Sequence, residues 1–281
     1  MIDSRNQSRK LGQHFLINKQ AIQKIIAALD LQKNDTVVEI GPGKGALTIP
    51  LAQKCQASGV KCQVIAIEKD PRLADQLTSY ADATVGEFKI IHGDALKLIN
   101  SQTHQLTNWK LVGNIPYYIT GKLLRILSEM EHKPRLTVLT LQKEVAERLC
   151  AHPTPTKTCP THRCAMCGMN LLAAAVQIWA EPKIFAYLKP KDFSPPPKVH
   201  SAVIKLTPNL RRCERLRLDD YYKLIKTVFK QPRKTVLNNL STGLKISKEV
   251  ALEMLKKVGL KGDERPQNLS LESLIKLSTI K

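Results

Sequence analysis

The sequence predicts an α/β fold: a doubly wound, mainly parallel sheet followed by a small all-helical C-terminal domain. Three observations carry this. Short β-rich runs alternate with amphipathic stretches through the first half of the chain. A turn with three glycines follows the first of those runs directly. After residue 208 only helical patterns remain, with Pro and Gly in their connections.

In chain order, the strand candidates are DTVVEIG (35–41), CQVIAIEKD (62–70), FKIIHGDAL (88–96), WKLVGNIPY (109–117) and RLTVLTLQK (135–143). Amphipathic segments at 45–56, 71–81 and 120–131 lie between them and predict helices on both faces. AAAVQIWAE (173–181) and SAVIKLTP (201–208) read as two later strands of the same sheet. Four helices are expected beyond, at 219–230, 233–240, 247–258 and 270–279. The domain boundary falls near residue 208, giving domains 1–208 and 209–281, with an insertion around 150–170. There is no internal repeat and no low-complexity tract.

A chain of 281 residues with 43% hydrophobic and 24% charged residues is ordinary for a soluble globular protein. Its charge is not: 44 Lys+Arg against 24 Asp+Glu give +20. Such a field favours polyanions, so nucleic acid or an anionic membrane surface leads the partner classes. Residues 183–281 alone carry 22 basic against 9 acidic side chains, which is lopsided for a merely solvated surface. No apolar run approaches the roughly 20 residues needed to span a bilayer, and MIDSRNQSRKLGQ lacks the apolar core of a signal peptide. A cytoplasmic protein is expected, with its seven cysteines reduced.

The glycine turn VVEIGPGKGALT sets Gly41, Gly43 and Gly45 between a strand and a helix, at the crevice where open α/β sheets bind ligands. Glycine there allows a close approach of backbone to ligand. The spacing G-x-G-x-G, with Glu39 before it, is neither the dinucleotide fingerprint nor a phosphate loop. A cofactor without a pyrophosphate fits better, S-adenosylmethionine foremost. Glu68 ends the second strand, where a carboxylate can accept both ribose hydroxyls, and Asp94 ends the third, where it can accept from an adenine amino group. Either acid alone reads as a loop or helix-cap residue. Three successive strand ends supplying what an adenosyl group needs make a binding site the better reading.

The fourth strand ends in Asn114-Ile115-Pro116-Tyr117 and reaches the same crevice. Methyl transfer to an exocyclic adenine amine needs two acceptors on the amino hydrogens, to hold a nitrogen whose lone pair is delocalised into the ring. The Asn114 side-chain carbonyl and the Ile115 backbone carbonyl suit this task. Pro116 fixes the chain, and Tyr117 offers a ring for an unstacked base. Acceleration then comes from orientation and matched electrostatics, with no general base before transfer.

At these residues the chain resembles the ribosomal RNA small-subunit adenine N6,N6-dimethyltransferases, which are Rossmann-like class I methyltransferases. The resemblance runs through LGQHFLIN (11–18), VEIGPGKGALT (38–48), GDAL (93–96), GNIPYYI (113–119), LQKEVAERL (141–149), FSPPPKVHSAVIKL (193–206) and RPQNLSLESL (265–274). It implies S-adenosylmethionine-dependent dimethylation of two neighbouring adenosines near the 3′ end of small-subunit rRNA, within an assembling subunit, by a monomer. It also implies cofactor contacts at His14, Leu16, Gly41, Glu68, Asp94 and Asn114. Catalytic roles are implied for Asn114, Pro116, Tyr117 and Phe193, the last as an aromatic facing the base from the opposite side. Without the motif context Phe193 reads as core or loop packing, and His14 as a surface histidine. The helical region, with FKQPRKTVLNNL (229–240), is then the RNA-docking domain.

Two departures from the family pattern stand out. Pro232 occupies a place where the family has a basic residue, and is expected to loosen or begin the helix there. CAHPTPTKTCPTHRCAMCGMN (150–170) replaces a Gly-Arg-Leu-Ser-like helix start. Cys159, His162, Cys164 and Cys167 have zinc-type identities, with Cys150 as a spare ligand; reactive thiols and a neutral insertion are the other readings. Three functional alternatives stay open: the sister activity on large-subunit rRNA, a catalytically silent assembly or transcription factor, and a DNA adenine methylase. The SPPPKVHSAV junction and RPQNLSLESL tail favour the small-subunit branch.

Overall fold

The computed structural model describes residues 14–57, 62–83, 88–153, 166–212 and 216–280. These form two compact units: the chain up to Ala146 with Lys183–Pro208, and Glu147–Pro182 with the chain from Asn209 onward. One unit boundary falls after Pro208, but residues 147–182, expected in the first domain, group with the helical region.

The strands are β1 (Phe15–Leu16), β2 (Thr36–Ile40), β3 (Gln63–Glu68), β4 (Phe88–His92), β5 (Trp109–Gly113), β6 (Leu136–Gln142), β7 (Ala180–Leu188), β8 (Phe193–Ser194) and β9 (Ser201–Pro208); all belong to the first unit, β7 from Lys183 onward. Seven make one sheet in the order β4-β3-β2-β5-β6-β9-β7, while β1 and β8 pair separately and antiparallel. From β4 to β6 all pairings are parallel; β9 runs antiparallel to β6, with Gln142 opposite Ser201. The chain order reverses between β2 and β5, which opens a crevice beyond their carboxyl ends. Helices α1 (Lys19–Ala28), α2 (Thr48–Ala57), α3 (Pro71–Ala83), α4 (Ala95–Thr103) and α5 (Thr120–Glu129) alternate with the strands. The inner strands are buried along nearly their whole length, as parallel strands covered on both faces must be.

One polar pair breaks that apolar core. Lys110 on β5 meets Asp35 at 2.7 Å with both side chains buried, and its ammonium also donates to the Leu29 and Asp30 carbonyls. The pair lies at the amino ends of β2 and β5, away from the crevice, and ties the end of α1 to the sheet. Among the described residues no helix is long and apolar enough to cross a membrane.

The second unit contains α7 (Leu171–Gln177), α8 (Leu218–Val228), α9 (Val236–Leu244), α10 (Lys248–Lys257) and α11 (Leu271–Ser278); α6 (Lys143–Leu149) leads into it. Here one expected strand is corrected. The AAAV part of AAAVQIWAE is helical, because Asn170 caps the Ala173 N–H at 3.0 Å and an alanine run favours helix. The strand starts only at Ala180. The four C-terminal helices fall where expected. Thr235, Ser247 and Ser270 cap α9, α10 and α11 through their hydroxyls. α9 starts at Val236, three residues later than Arg233. Pro232, Arg233 and Lys234 stand exposed in the preceding turn, which the Asn239 side chain clamps from both sides of the Gln231 peptide.

The expectation of reduced cysteines is also corrected. Cys55 near the end of α2 and Cys62 just before β3 form a disulfide, with Cα atoms 5.0 Å apart. Cys167 is disulfide-bonded as well. A sulfur held in a disulfide offers no thiolate to a metal, so the zinc reading loses one of its four ligands. Cys159, His162 and Cys164 lie outside the described residues, and among the described residues no cluster of His, Cys, Asp or Glu could hold a metal. Zinc is not supported.

Candidate active site

A cavity of about 970 Å³ opens beyond the carboxyl ends of β2, β3, β4 and β5. Each strand delivers one expected residue to its wall: Gly41, Glu68, Asp94 and Asn114, in that order. The loop after β2 turns through left-handed backbone at Gly41 and Gly43, with φ of +67° and +59°. A Cβ on Gly41 would meet no atom within 4 Å, so this backbone faces open space that a ligand can fill. A Cβ on Gly43 would lie 2.8 Å from the Phe15 ring, so Gly43 permits a close approach of the N-terminal segment.

Glu68 is buried and shapes the same loop. Its Oε2 accepts the Gly43 N–H at 2.9 Å and its Oε1 the Asp70 N–H at 2.8 Å. Each carboxylate oxygen keeps one further acceptor position, enough for a pair of hydroxyls. Asp94 caps α4 through the Leu96 N–H at 3.0 Å and receives Lys69 at 3.2 Å. Partial burial opposes its ionisation, but the hydrogen bonds from Lys69 and Leu96 and the charges of Lys69 and Lys97 prevail, holding Asp94 below its ordinary range.

The N-terminal segment 14–18 forms the facing wall as a strap tied at five points. The Asn114 Nδ2 donates to the His14 carbonyl at 2.7 Å, and His14 Nδ1 donates to the Pro195 carbonyl at 2.7 Å. Ile17 and Asn18 donate their N–H groups to the Asp192 carbonyl, and Asn18 Nδ2 donates to Asp192 Oδ1 at 2.6 Å. Asn18 also caps α1. Leu16, buried in the core, still lines the cavity.

This strap decides which way the Asn114 amide points. A carbonyl can only accept, so the nitrogen must face His14 and the oxygen must face the other way. Ile115 is buried beside it, and among the described residues no N–H donates to the Ile115 carbonyl outside regular elements. Pro116 is extended, with φ −56° and ψ 133°, and launches one 3₁₀ turn over Tyr117–Ile119. The Tyr117 hydroxyl pairs with Ser201 Oγ at 2.7 Å. Burial raises its pKa, so the phenol is neutral at physiological pH. Its ring lies 6.0 Å from that of His14.

Phe193 stands apart from these residues. It is 2% exposed, pairs in register with Leu16, and packs in the hydrophobic core. It does not line the cavity, and in this arrangement its ring is not presented to a base. Its place is that of core packing behind the strap.

Two further lining residues, Tyr118 and Glu39, have no role assigned from sequence. Tyr118 is 67% exposed at the cavity wall; with Tyr117 turned inward by the 3₁₀ turn, its neighbour must face out. Glu39 is fully buried at the end of β2 and accepts the Thr48 hydroxyl at 2.7 Å. Burial pushes its pKa up to about 8, with the Glu68 charge adding to it and the Thr48 bond opposing. An unfolded glutamate ionises near 4.5, so as pH rises the unfolded chain releases this proton first. The stability contributed by this group is complete below that value and is lost as pH climbs through 8. Glu39→Gln, neutral throughout, should therefore flatten the decline in melting temperature between pH 5 and 8. A slope equal to that of the unsubstituted protein would show Glu39 to be ionised in the fold.

The sequence profile of the ribosomal RNA adenine dimethylase family matches residues 4–281. The chain is 39% identical to the ribosomal RNA small subunit methyltransferase A of Dehalococcoides mccartyi strain CBDB1, over 95% of this chain and 86% of that one. It is 35% identical to the protein of the same name from Clostridium botulinum strain Kyoto / Type A2, over 96% and 92%. Among solved structures it is similar to a dimethyladenosine transferase from Plasmodium falciparum, with a TM-score of 0.75, 26% identity, and coverage of 94% and 96%.

Proposed function

The chain belongs to the ribosomal RNA adenine dimethylase family, an enzyme family, and from that premise we propose that it uses S-adenosylmethionine to dimethylate N6 of two adjacent adenosines near the 3′ end of small-subunit rRNA. Its substrate is an assembling small subunit in the cytoplasm, and it acts as a monomer. The names of its relatives support the choice of subunit. One observation carries the chemistry: the Asn114 amide is pinned with its oxygen outward, beside a glycine cradle flanked by Glu68 and Asp94.

The residues present fit an adenosyl cofactor. Open space at Gly41, the spare acceptor positions of Glu68, and the ionised Asp94 supply backbone approach, ribose contacts and an acceptor for an amino group. When bound, S-adenosylmethionine supplies an electrophilic methyl on a cationic sulfur. The chain's own work is done on the adenine. In the first transfer Asn114 Oδ1 and the Ile115 carbonyl accept the two N6 hydrogens and favour a pyramidal nitrogen whose lone pair is less delocalised into the ring; in the second they hold the one hydrogen that remains. These acceptors also favour the positive charge that develops on nitrogen, so they bind the transition state better than the ground state. Tyr117 stacks on the base, its orientation held by Ser201. The proton released from the methylated amine passes to water, since that amine is acidic while charged. The exposed Arg233 and Lys234, with the basic helices around them, hold the RNA backbone in this reading.

The test is direct. Protein and labelled cofactor are incubated with small subunits from cells lacking the modification, with large-subunit rRNA and duplex DNA as controls. Dimethyladenosine is expected in digests of the small-subunit RNA alone. Incorporation into large-subunit rRNA, or none with cofactor still bound, would overturn the proposal.

A further inference from the structure

The outer strand β7 carries one feature that methyl transfer does not use. Within the first unit its side chains alternate, so that Lys183, Phe185 and Tyr187 form an exposed row while Ile184 and Ala186 are half-buried. Phe185 is 44% exposed and Tyr187 49%. A cation stands over each ring: Lys205 from β9 lies 5.7 Å from the Phe185 centroid, and Lys143 lies 5.5 Å from that of Tyr187.

These contacts fix the direction of the row. Lys143 follows β6 directly and donates its N–H to the His200 carbonyl, next to Ser201. Ser201 in turn holds the Tyr117 hydroxyl at the cavity. Tyr187 is therefore at the cavity end, and Phe185 lies about 7 Å farther out, two residues along the strand.

Two part-exposed rings at nucleotide-like spacing, each with a lysine at one side, have the chemistry that binds a single-stranded polynucleotide: ring surface for bases and cations for phosphates. A duplex hides its base faces and would not use the rings. Lysine is depleted at the cores of protein interfaces, so a lysine beside each ring argues against a protein partner. We infer that this row is a stacking platform for unpaired rRNA nucleotides flanking the target adenosines; the identity of the RNA rests on the function proposed above.

The test compares the protein with Phe185→Ala/Tyr187→Ala, after circular dichroism has shown both folded. Affinity for an unstructured RNA of about ten nucleotides should fall at least about thirtyfold in the double variant, and affinity for the matching duplex should hold. Phe185→Tyr and Tyr187→Phe should keep the affinity, while Phe185→Leu should not. With small subunits, KM should rise and kcat stay unchanged, as for lost ground-state binding. Unchanged oligonucleotide affinity overturns the platform. So does a dimer, seen by sedimentation, that the double variant dissolves without any change in RNA binding. Small-subunit methylation with the same KM in both proteins would sink the platform and leave the proposed function standing. Ring-dependent binding with no rRNA methylation would do the reverse.

Discussion

Asn114→Ala is expected to lower dimethylation about 10²–10³-fold at saturating cofactor and subunit, with RNA affinity within about threefold. The size follows from what the amide does. It is held by the His14 carbonyl at 2.7 Å, so its oxygen is positioned before the adenine arrives and need not reorganise during transfer. Removing an acceptor that acts on developing charge lowers kcat, whereas removing a contact common to ground and transition states raises KM. Asn114→Asp divides the two jobs of this side chain. It keeps an oxygen toward the cavity but sets another against the His14 carbonyl, where both can only accept. That variant should retain more turnover than alanine while loosening the strap, read as faster amide exchange around residues 15–18. Single-turnover rates with labelled cofactor decide the matter. Near-normal transfer by the alanine variant would remove Asn114 from the chemistry.

Much of this site was legible in the sequence because strand ends in an open α/β sheet are predictable places. Once four β-rich runs were ordered, Gly41, Glu68, Asp94 and Asn114 had to meet at one crevice, and all four line the cavity. Three things were hidden, each for a physical reason. Glu68 is expected to accept ribose hydroxyls, but a strand-terminal acid beside a glycine loop also finds backbone donors, and it bonds Gly43 and Asp70. The state of Glu39 depends on burial, which no spacing reveals. The strap across the cavity depends on pairings 174 and 181 residues apart, Asn18 with Asp192 and His14 with Pro195, which local patterns cannot foresee. At AAAVQIWAE a short apolar run fits either helix or strand, and the Asn170 cap decides for helix.

Glu68→Ala should weaken cofactor binding about 10²-fold or more, while kcat at saturating cofactor stays within about threefold. Two losses combine. The acceptors offered to a ribose disappear, and the Gly43 N–H loses its partner in a buried place, at a cost of about 1–3 kcal/mol, while the part-buried Asp70 N–H loses its own. The loop that must present open backbone at Gly41 then has no fixed shape before the ligand arrives. Glu68→Gln tests the balance, since it keeps the size and one accepting oxygen but turns an NH₂ toward the other donor. Its affinity should fall between the two, by about tenfold. Neither variant touches the amine held by Asn114, so saturating cofactor should restore the rate for both, as it cannot for Asn114→Ala. Titration calorimetry with the cofactor, paired with kcat at saturation, separates the two kinds of residue. An unchanged Kd for folded Glu68→Ala would mean that the carboxylate serves the loop alone, and that the ribose finds its acceptors elsewhere.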